Sequence, residues 1–247
     1  MVGSFLSTST LSLAQNDGLT RAALEAVGSF ALTNAQVADA SRQAVTQMDA
    51  QNPLADPNDP YTLRLNRIIS QHRTMSGVPI NYKVYMVKDV NAFATADGSV
   101  RVMKGLMDLM TDAELLAVIG HEIGHVINQD SRDGMKKALR RSAAINALGS
   151  TSGTLGRLSR SQLAGAFDYL ANAKFSRQQE SEADDYSYEF LKRNRYSVMA
   201  LASSFEKLAE MSGGGGGKLT EFMSSHPDSA KRAQRIRDRA RRDGLTR

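Results

Sequence analysis

The residues best placed to do chemistry are His121, Glu122 and His125, in the run Gly-His-Glu-Ile-Gly-His over 120–125. On a helix, residues four apart stand about 5–6 Å from each other on one face. Two imidazoles at that spacing can each reach one zinc ion at about 2.0–2.1 Å. Glu122 is turned one residue round from His121, where it can take a proton from an attacking water instead of binding the metal. The alternative is a pair of satisfied core histidines. Against it, the chain has only 4 histidines, and two of them fall here with a carboxylate between. A glutamate among Leu, Ile and Val needs a partner or a function if it is buried.

A helix must carry these groups, and its start is legible. Thr111 is followed three residues on by Glu114, a pair whose side chains can satisfy free backbone N–H groups at a helix N-terminus. Leu115, Ile119, Ile123 and Val126 then recur at helical spacing, which predicts a buried amphipathic helix over 111–128.

Zinc needs a third protein ligand. A motif with Gly and His three and six residues past His125 does not apply, because Asn128 and Ser131 stand there, and a glutamate nineteen residues on is ruled out by Ala144. A carboxylate on a later helix remains. Glu180 and Asp184 are four apart and so share a face, bordering the apolar stripe of Ala183, Ser187 and Leu191. Acidic side chains beside a buried stripe need compensation, which a dication supplies. Glu180 is the candidate ligand, and Asp184 the group that accepts a ring N–H from His121 or His125 and fixes its tautomer. Glu182 and Asp185 point elsewhere and are expected to be solvated. An ordinary acidic helix surface is the competing reading.

The elements around the site read as follows. Residues 1–17 are rich in Ser and Thr without periodicity, and 19–30 and 34–49 read as helices, the second capped by Thr33 or Asn34. Pro53, Pro57 and Pro60 break the chain, dividing an N-terminal helical arm over 1–60 from a main domain over 61–247. A helix around Tyr61–Ile69 ends near His72, which has no motif around it and reads as structural, at an exposed or half-buried end. After a turn at 77–79, the pattern alternates. Strands are expected over 81–87, 91–95 and 99–104, with an Asp97-Gly98 turn before the last, as a small, largely antiparallel sheet. Residues 91–94, Asn91, Ala92, Phe93 and Ala94, would be an edge strand able to pair with an extended peptide whatever its side chains. Helices follow over 130–141, 161–174, 177–193, 198–211, 219–223 and 228–242, with a small-residue stretch over 142–156 that could form a lid and a glycine loop over 213–217. The fold class is therefore α+β, predominantly helical.

Composition narrows the rest. There is no cysteine, which excludes disulfides, thiolate metal ligands and a cysteine-linked lipid anchor within this chain. No run approaches the ~20 apolar residues of a membrane span, so a soluble chain is expected. The start has no charged region before an apolar core, hence no intact signal peptide, although one could have been removed before Gly3 or Ser4. The net charge is +5, much of it in the arginine-dense stretch 231–242. There Ala233, Ile236 and Ala240 repeat at helical spacing and Asp238 interrupts the charge, which favours a packed helix with a solvated face over a nucleic-acid site.

Three motifs together carry a resemblance: His-Glu-Ile-Gly-His at 121–125, Ser-Arg-Gln-Gln-Glu-Ser-Glu-Ala-Asp at 176–184 and Ser-His-Pro at 225–227. With Asn91-Ala92-Phe93-Ala94, Gly98 and Gly105-Leu106-Met107, they resemble the HtpX and CAAX-prenyl-protease family of zinc endopeptidases. Within it, 81–86 and 182–188 are most similar to a periplasmic lipoprotein branch. The resemblance runs from about Tyr61 to the C-terminus. It implies a zincin-like metallopeptidase (a gluzincin) with one Zn2+ per chain, Glu180 as third ligand and Glu122 as base. It adds His226, which spacing alone does not place, near the metal as a transition-state donor or as a cap on the zinc in a resting form; Tyr186 is another candidate donor. It further implies unfolded or misassembled envelope proteins as substrates, with a periplasmic or envelope location in a Gram-negative bacterium and association with the outer membrane through an anchor that this chain lacks. A chaperone or assembly factor that keeps zinc only as a staple is the rival from another class.

Overall fold

A computed structural model describes residues 32–147, 160–213 and 225–246. The readings over 1–17, 19–30 and 219–223, most of the 142–156 stretch and residues 214–217 lie outside the described residues. The elements run α1 (Asn34–Gln51), α2 (Pro60–Ile68), β1 (Thr74–Met75), β2 (Val78–Pro79), β3 (Asn81–Tyr85), β4 (Ala92–Ala94), β5 (Ser99–Met103), α3 (Lys104–Leu109), α4 (Asp112–Ile127), α5 (Asp130–Ala147), α6 (Arg160–Ala171), α7 (Arg177–Arg193), α8 (Met199–Gly213) and α9 (Ser229–Arg242). The predominantly helical α+β class is as expected.

The sheet corrects one expectation. It is mixed, in the order β3-β5-β4, with β5 antiparallel to β4 but parallel to β3. Alternating polarity marks each strand but does not say which strand lies beside which. The β4–β5 turn needs its glycine: Gly98 has φ +83°, and a Cβ there would lie 2.4 Å from the Pro79 carbonyl oxygen. The strands β1 and β2, unforeseen, form a separate hairpin through Ser76 and Gly77 at φ 48° and 80°, as a two-residue primed turn requires.

Each face of β5 has a different job. Val100 and Val102 join the core around α4, whereas Arg101 lies on the other face, buried, where Nε and Nη2 donate to Asp49 at 2.7 and 3.0 Å. Lys83 and Tyr85 donate to the same carboxylate, each at 2.8 Å. Asp49 thereby fastens α1 to the sheet. Leu32, Val37, Ala40 and Ala44 complete the attachment by packing with Met135, Leu139 and Ala166 of α5 and α6. Burial pushes the Asp49 carboxyl up, but Arg101, Lys83 and Tyr85 overcome this and hold it at about 2. That stabilisation is fully present above the unfolded value near 4 and is lost as pH falls toward 2. Asp49→Ala strands the Arg101 charge, and we expect a loss of about 3 kcal/mol in denaturant unfolding at pH 7, shrinking as the pH is lowered to 3.

The sheet has one covered edge and one open edge. Beside β3, Ala55 N–H donates to the Val84 carbonyl at 3.0 Å and Met86 N–H to the Pro53 carbonyl at 2.7 Å. The proline-rich segment thus occupies that side, and β4 is the open edge, beside α4. His72 is structural, as read, but it is buried, not at an exposed end. Its Nε2 lies 3.1 Å from the Tyr196 hydroxyl and its ring meets Phe190 edge-on.

Candidate metal centre

Helix α4 begins with the foreseen capping box, Thr111 and Glu114 bonding each other's backbone N–H groups. It is not amphipathic over its middle, since every residue from Glu114 to His125 is buried. Glycines let it lie that deep. A Cβ on Gly124 would come within 2.9 Å of the Ala183 backbone on α7, and one on Gly120 within 3.0 Å of Ser187 Oγ. The two helices approach through Gly120 and Gly124, and Ser187 Oγ donates across the seam to the Ala117 carbonyl at 2.7 Å. This close approach carries Glu180, at the first turn of α7, to the histidines.

The cluster is compact. One donor atom from each of His121, His125, Glu180 and His226 lies within 4.8 Å of the others, and all four residues are buried. His125 Nε2 is 3.4 Å from Glu180 Oε1, His121 Nε2 is 3.6 Å from Glu180 Oε2, and His226 Nδ1 is 2.9 Å from Glu180 Oε1. Glu122 stands beside this group, its Oε1 3.5 Å from His226 Nε2.

Both helix histidines are held from behind. His121 Nδ1 lies 2.9 Å from Asp184 Oδ1, the pairing expected from the sequence. His125 Nδ1 lies 3.0 Å from Asp130 Oδ2, a partner the sequence reading missed. Asp130 reaches back because Gln129 adopts φ 69°, turning the chain sharply after α4. Gln179, which closes a capping box with Ser176 on α7, also donates to Asp130 at 2.9 Å. With each Nδ1 set against a carboxylate, each Nε2 is the ring nitrogen turned toward Glu180. His125 Nε2 and Glu122 Oε1 are buried without a hydrogen-bond partner. Two imidazole nitrogens and a carboxylate converging in a buried site, with His125 Nε2 left without a hydrogen bond, fit a divalent cation of the zinc kind.

Arg232 is the second group the sequence missed. It is 5 % exposed, on the inward stripe of α9 with Ala233, Ile236 and Ala240. Its guanidinium grips Asp184 through two bonds of 2.6 and 3.0 Å, pairs with Glu180 and lies 4.0 Å over the Phe205 ring. The available signal was its place directly before Ala233 on that stripe. The neighbouring arginines are engaged differently: Arg235 and Arg239 pair with Asp185, and Arg237 with Glu206. Asp185 is therefore paired, not merely solvated, whereas Glu182 is exposed as expected. Tyr186 is not in the cluster; its hydroxyl lies 3.2 Å from Ser76 Oγ.

The charges sort by surroundings. Burial pushes the Glu122 carboxyl above the usual range, although His226 and His125 oppose it. Burial also acts on Glu180 and Asp184, but His125 and His226 beside the first, and Arg232 beside the second, hold both below the usual range. Burial and the charge of Arg232 lower His121 to about 3. His125 is raised to about 9, because Asp130 and Glu180 outweigh its burial. One carboxyl is thus poised to hold a proton, beside two that stay ionised.

A cleft of about 210 Å³ opens onto Glu122 and His226. The expected edge strand, Asn91, Ala92, Phe93 and Ala94, lines it, facing Ser131, Leu170 and Phe175. Phe175 stacks flat on His125, ring centroids 3.7 Å apart, and shields that ring from water.

The model of Peptidase family M48 matches residues 61–240. The chain is 46 % identical over 231 residues to Metalloprotease LoiP of Escherichia coli strain K12, covering 93 % of this chain and 90 % of the relative. It is 43 % identical over 217 residues to Metalloprotease YcaL of the same strain, covering 87 % and 84 %. Protease HtpX of Legionella pneumophila is 37 % identical over 81 residues, covering 30 % of this chain and 28 % of the relative.

Proposed function

The chain belongs to peptidase family M48 and is a metalloendopeptidase, and we propose that it uses one zinc ion to cut extended segments of unfolded or misassembled cell-envelope proteins. The observation that carries the zinc reading is the convergence of donor atoms from His121, His125 and Glu180, with His125 Nε2 buried and without a hydrogen bond, beside Glu122. His121, His125 and Glu180 would hold the ion. When bound, zinc polarises the scissile carbonyl and lowers the pKa of its water from about 15.7 to about 7. Glu122 accepts the water proton and delivers it to the leaving amine, a task suited to a carboxyl whose pKa burial has raised. Asp184 and Asp130 keep both imidazoles in the ligating tautomer. The cleft's open strand edge suits an extended main chain.

The envelope assignment rests on the similarity to the periplasmic lipoprotein branch; among the described residues no helix is long and apolar enough to cross a membrane. The test of activity is cleavage of an unfolded, casein-like protein, stopped by a chelator and restored by zinc, with a folded control left intact. Fractionation of cells carrying the tagged protein tests the location.

A second reading is favoured by His226, which belongs to the same group of donors and whose Nδ1 lies 2.9 Å from Glu180 Oε1. As a permanent fourth ligand it would close the site and leave a zinc-stapled assembly factor. We assign it instead to hydrogen-bonding the developing oxyanion, and expect His226→Ala to lower kcat about 10²-fold with zinc retained. An increase in kcat would establish the capping role.

A further inference from the structure

The outer edge of β4 is already partly taken. Met103 N–H donates to the Asn91 carbonyl at 3.0 Å and Thr95 N–H to the Ser99 carbonyl at 2.9 Å, while Phe93 is paired with Arg101. Residues 91, 93 and 95 therefore spend their main-chain groups on β5, and by the alternation of an antiparallel ladder Ala92 and Ala94 turn theirs outward. Four groups face that way. The Asn91 side-chain oxygen accepts from Ala92 N–H at 2.9 Å. Ser131 Oγ, buried at the start of α5, donates to the Ala94 carbonyl at 3.1 Å. The Ala92 carbonyl and Ala94 N–H have no partner among the described residues.

We propose that Asn91 and Ser131 are positioning residues that cap the docking strand. A peptide is then held by two main-chain hydrogen bonds bracketing Phe93, one from its N–H to the Ala92 carbonyl and one to its carbonyl from Ala94 N–H. The proposal rests on β4 being the docking strand of the peptidase. An uncapped edge would offer four bonds and hold substrate and product alike. The caps leave a single bracket, which fixes the register of the peptide beside Glu122 with half the main-chain grip. Ser131 follows Asp130, the residue that holds His125, so the bracket is built in register with the metal centre.

The test is an N-methyl scan along one peptide substrate of the zinc-loaded chain, reading KM and kcat. In the unaltered protein, methylation at one N–H is expected to raise KM about tenfold. Ser131→Ala frees the Ala94 carbonyl, so a second sensitive N–H should arise two residues away, with KM for the unmethylated peptide about fivefold lower at constant kcat. A merely structural lesion would raise KM and lower kcat. Asn91→Ala frees a donor instead, and should lower KM similarly without a new sensitive N–H; it also tests the caps if Ser131→Ala does not fold. Two sensitive positions in the unaltered protein, or an unchanged KM in both variants, would overturn the caps and leave the docking strand standing. No sensitive position anywhere would overturn the docking strand itself.

Discussion

Glu122→Gln is expected to bind zinc as the unaltered chain does and to lose at least about 10³-fold in kcat on an unfolded substrate. Glu122 is not one of the four residues whose donor atoms converge, and its Oε1 stands 3.5 Å from His226 Nε2, so its removal takes nothing from the ligand set. Glutamine keeps the shape and cannot accept the proton, and general-base catalysis is worth about 10²–10⁴-fold. The same substitution should leave the metal-free fold as stable or more stable. Burial disfavours the ionised carboxyl, and its Oε1 has no hydrogen-bond partner, so a neutral amide relieves a penalty held for function. Metal analysis, steady-state kinetics and thermal unfolding on one preparation separate the three effects. Retained cleavage would take the role of base away from Glu122.

What the sequence disclosed and what it withheld follow from the range of the interactions. The start of α4 and the whole of α7 were legible because capping and helical periodicity are local, and α7 spans Arg177–Arg193 as read. Glu180 and Asp184 were legible because two carboxylates on one face beside an apolar stripe carry a cost that demands a partner. The sheet order was not, since β3 meets β5 across the β4 hairpin and no residue pattern records that crossing. Asp130 was missed because its contact with His125 depends on the left-handed turn at Gln129, where no glycine marks the sequence. Arg232 was missed because arginine density reads as a solvated face. Only packing of α9 beside α7 makes it the counter-ion of Asp184 and Glu180. His226 came from resemblance alone, and the structure places it in the cluster.

Glu180→Ala should abolish stable zinc binding, and the ranking against its neighbours is the sharper expectation. Glu180 is the carboxylate with one oxygen toward each helix histidine, at 3.4 and 3.6 Å. Asp184 and Asp130 touch only the Nδ1 sides. Loss of such an outer partner costs about 10–100-fold in metal affinity, because the imidazole remains but turns and loses basicity. Loss of a ligand removes both a bond and a charge, so Glu180→Ala must exceed that range while Asp184→Asn and Asp130→Asn fall within it. Arg232 complicates the first variant, since breaking a buried ion pair costs about 3–5 kcal/mol. Asp184 keeps its own two bonds to the guanidinium, so the helix seam at Gly124 and Ala183 should hold and the protein should still fold. Glu180→Gln, which preserves volume, guards against a folding defect and should also lose the metal. Competition with a chromogenic chelator measures all four variants on one scale. If Asp184→Asn lost more affinity than Glu180→Ala, the ligand would be Asp184, and α7 would have to meet α4 one turn further along than its glycines allow.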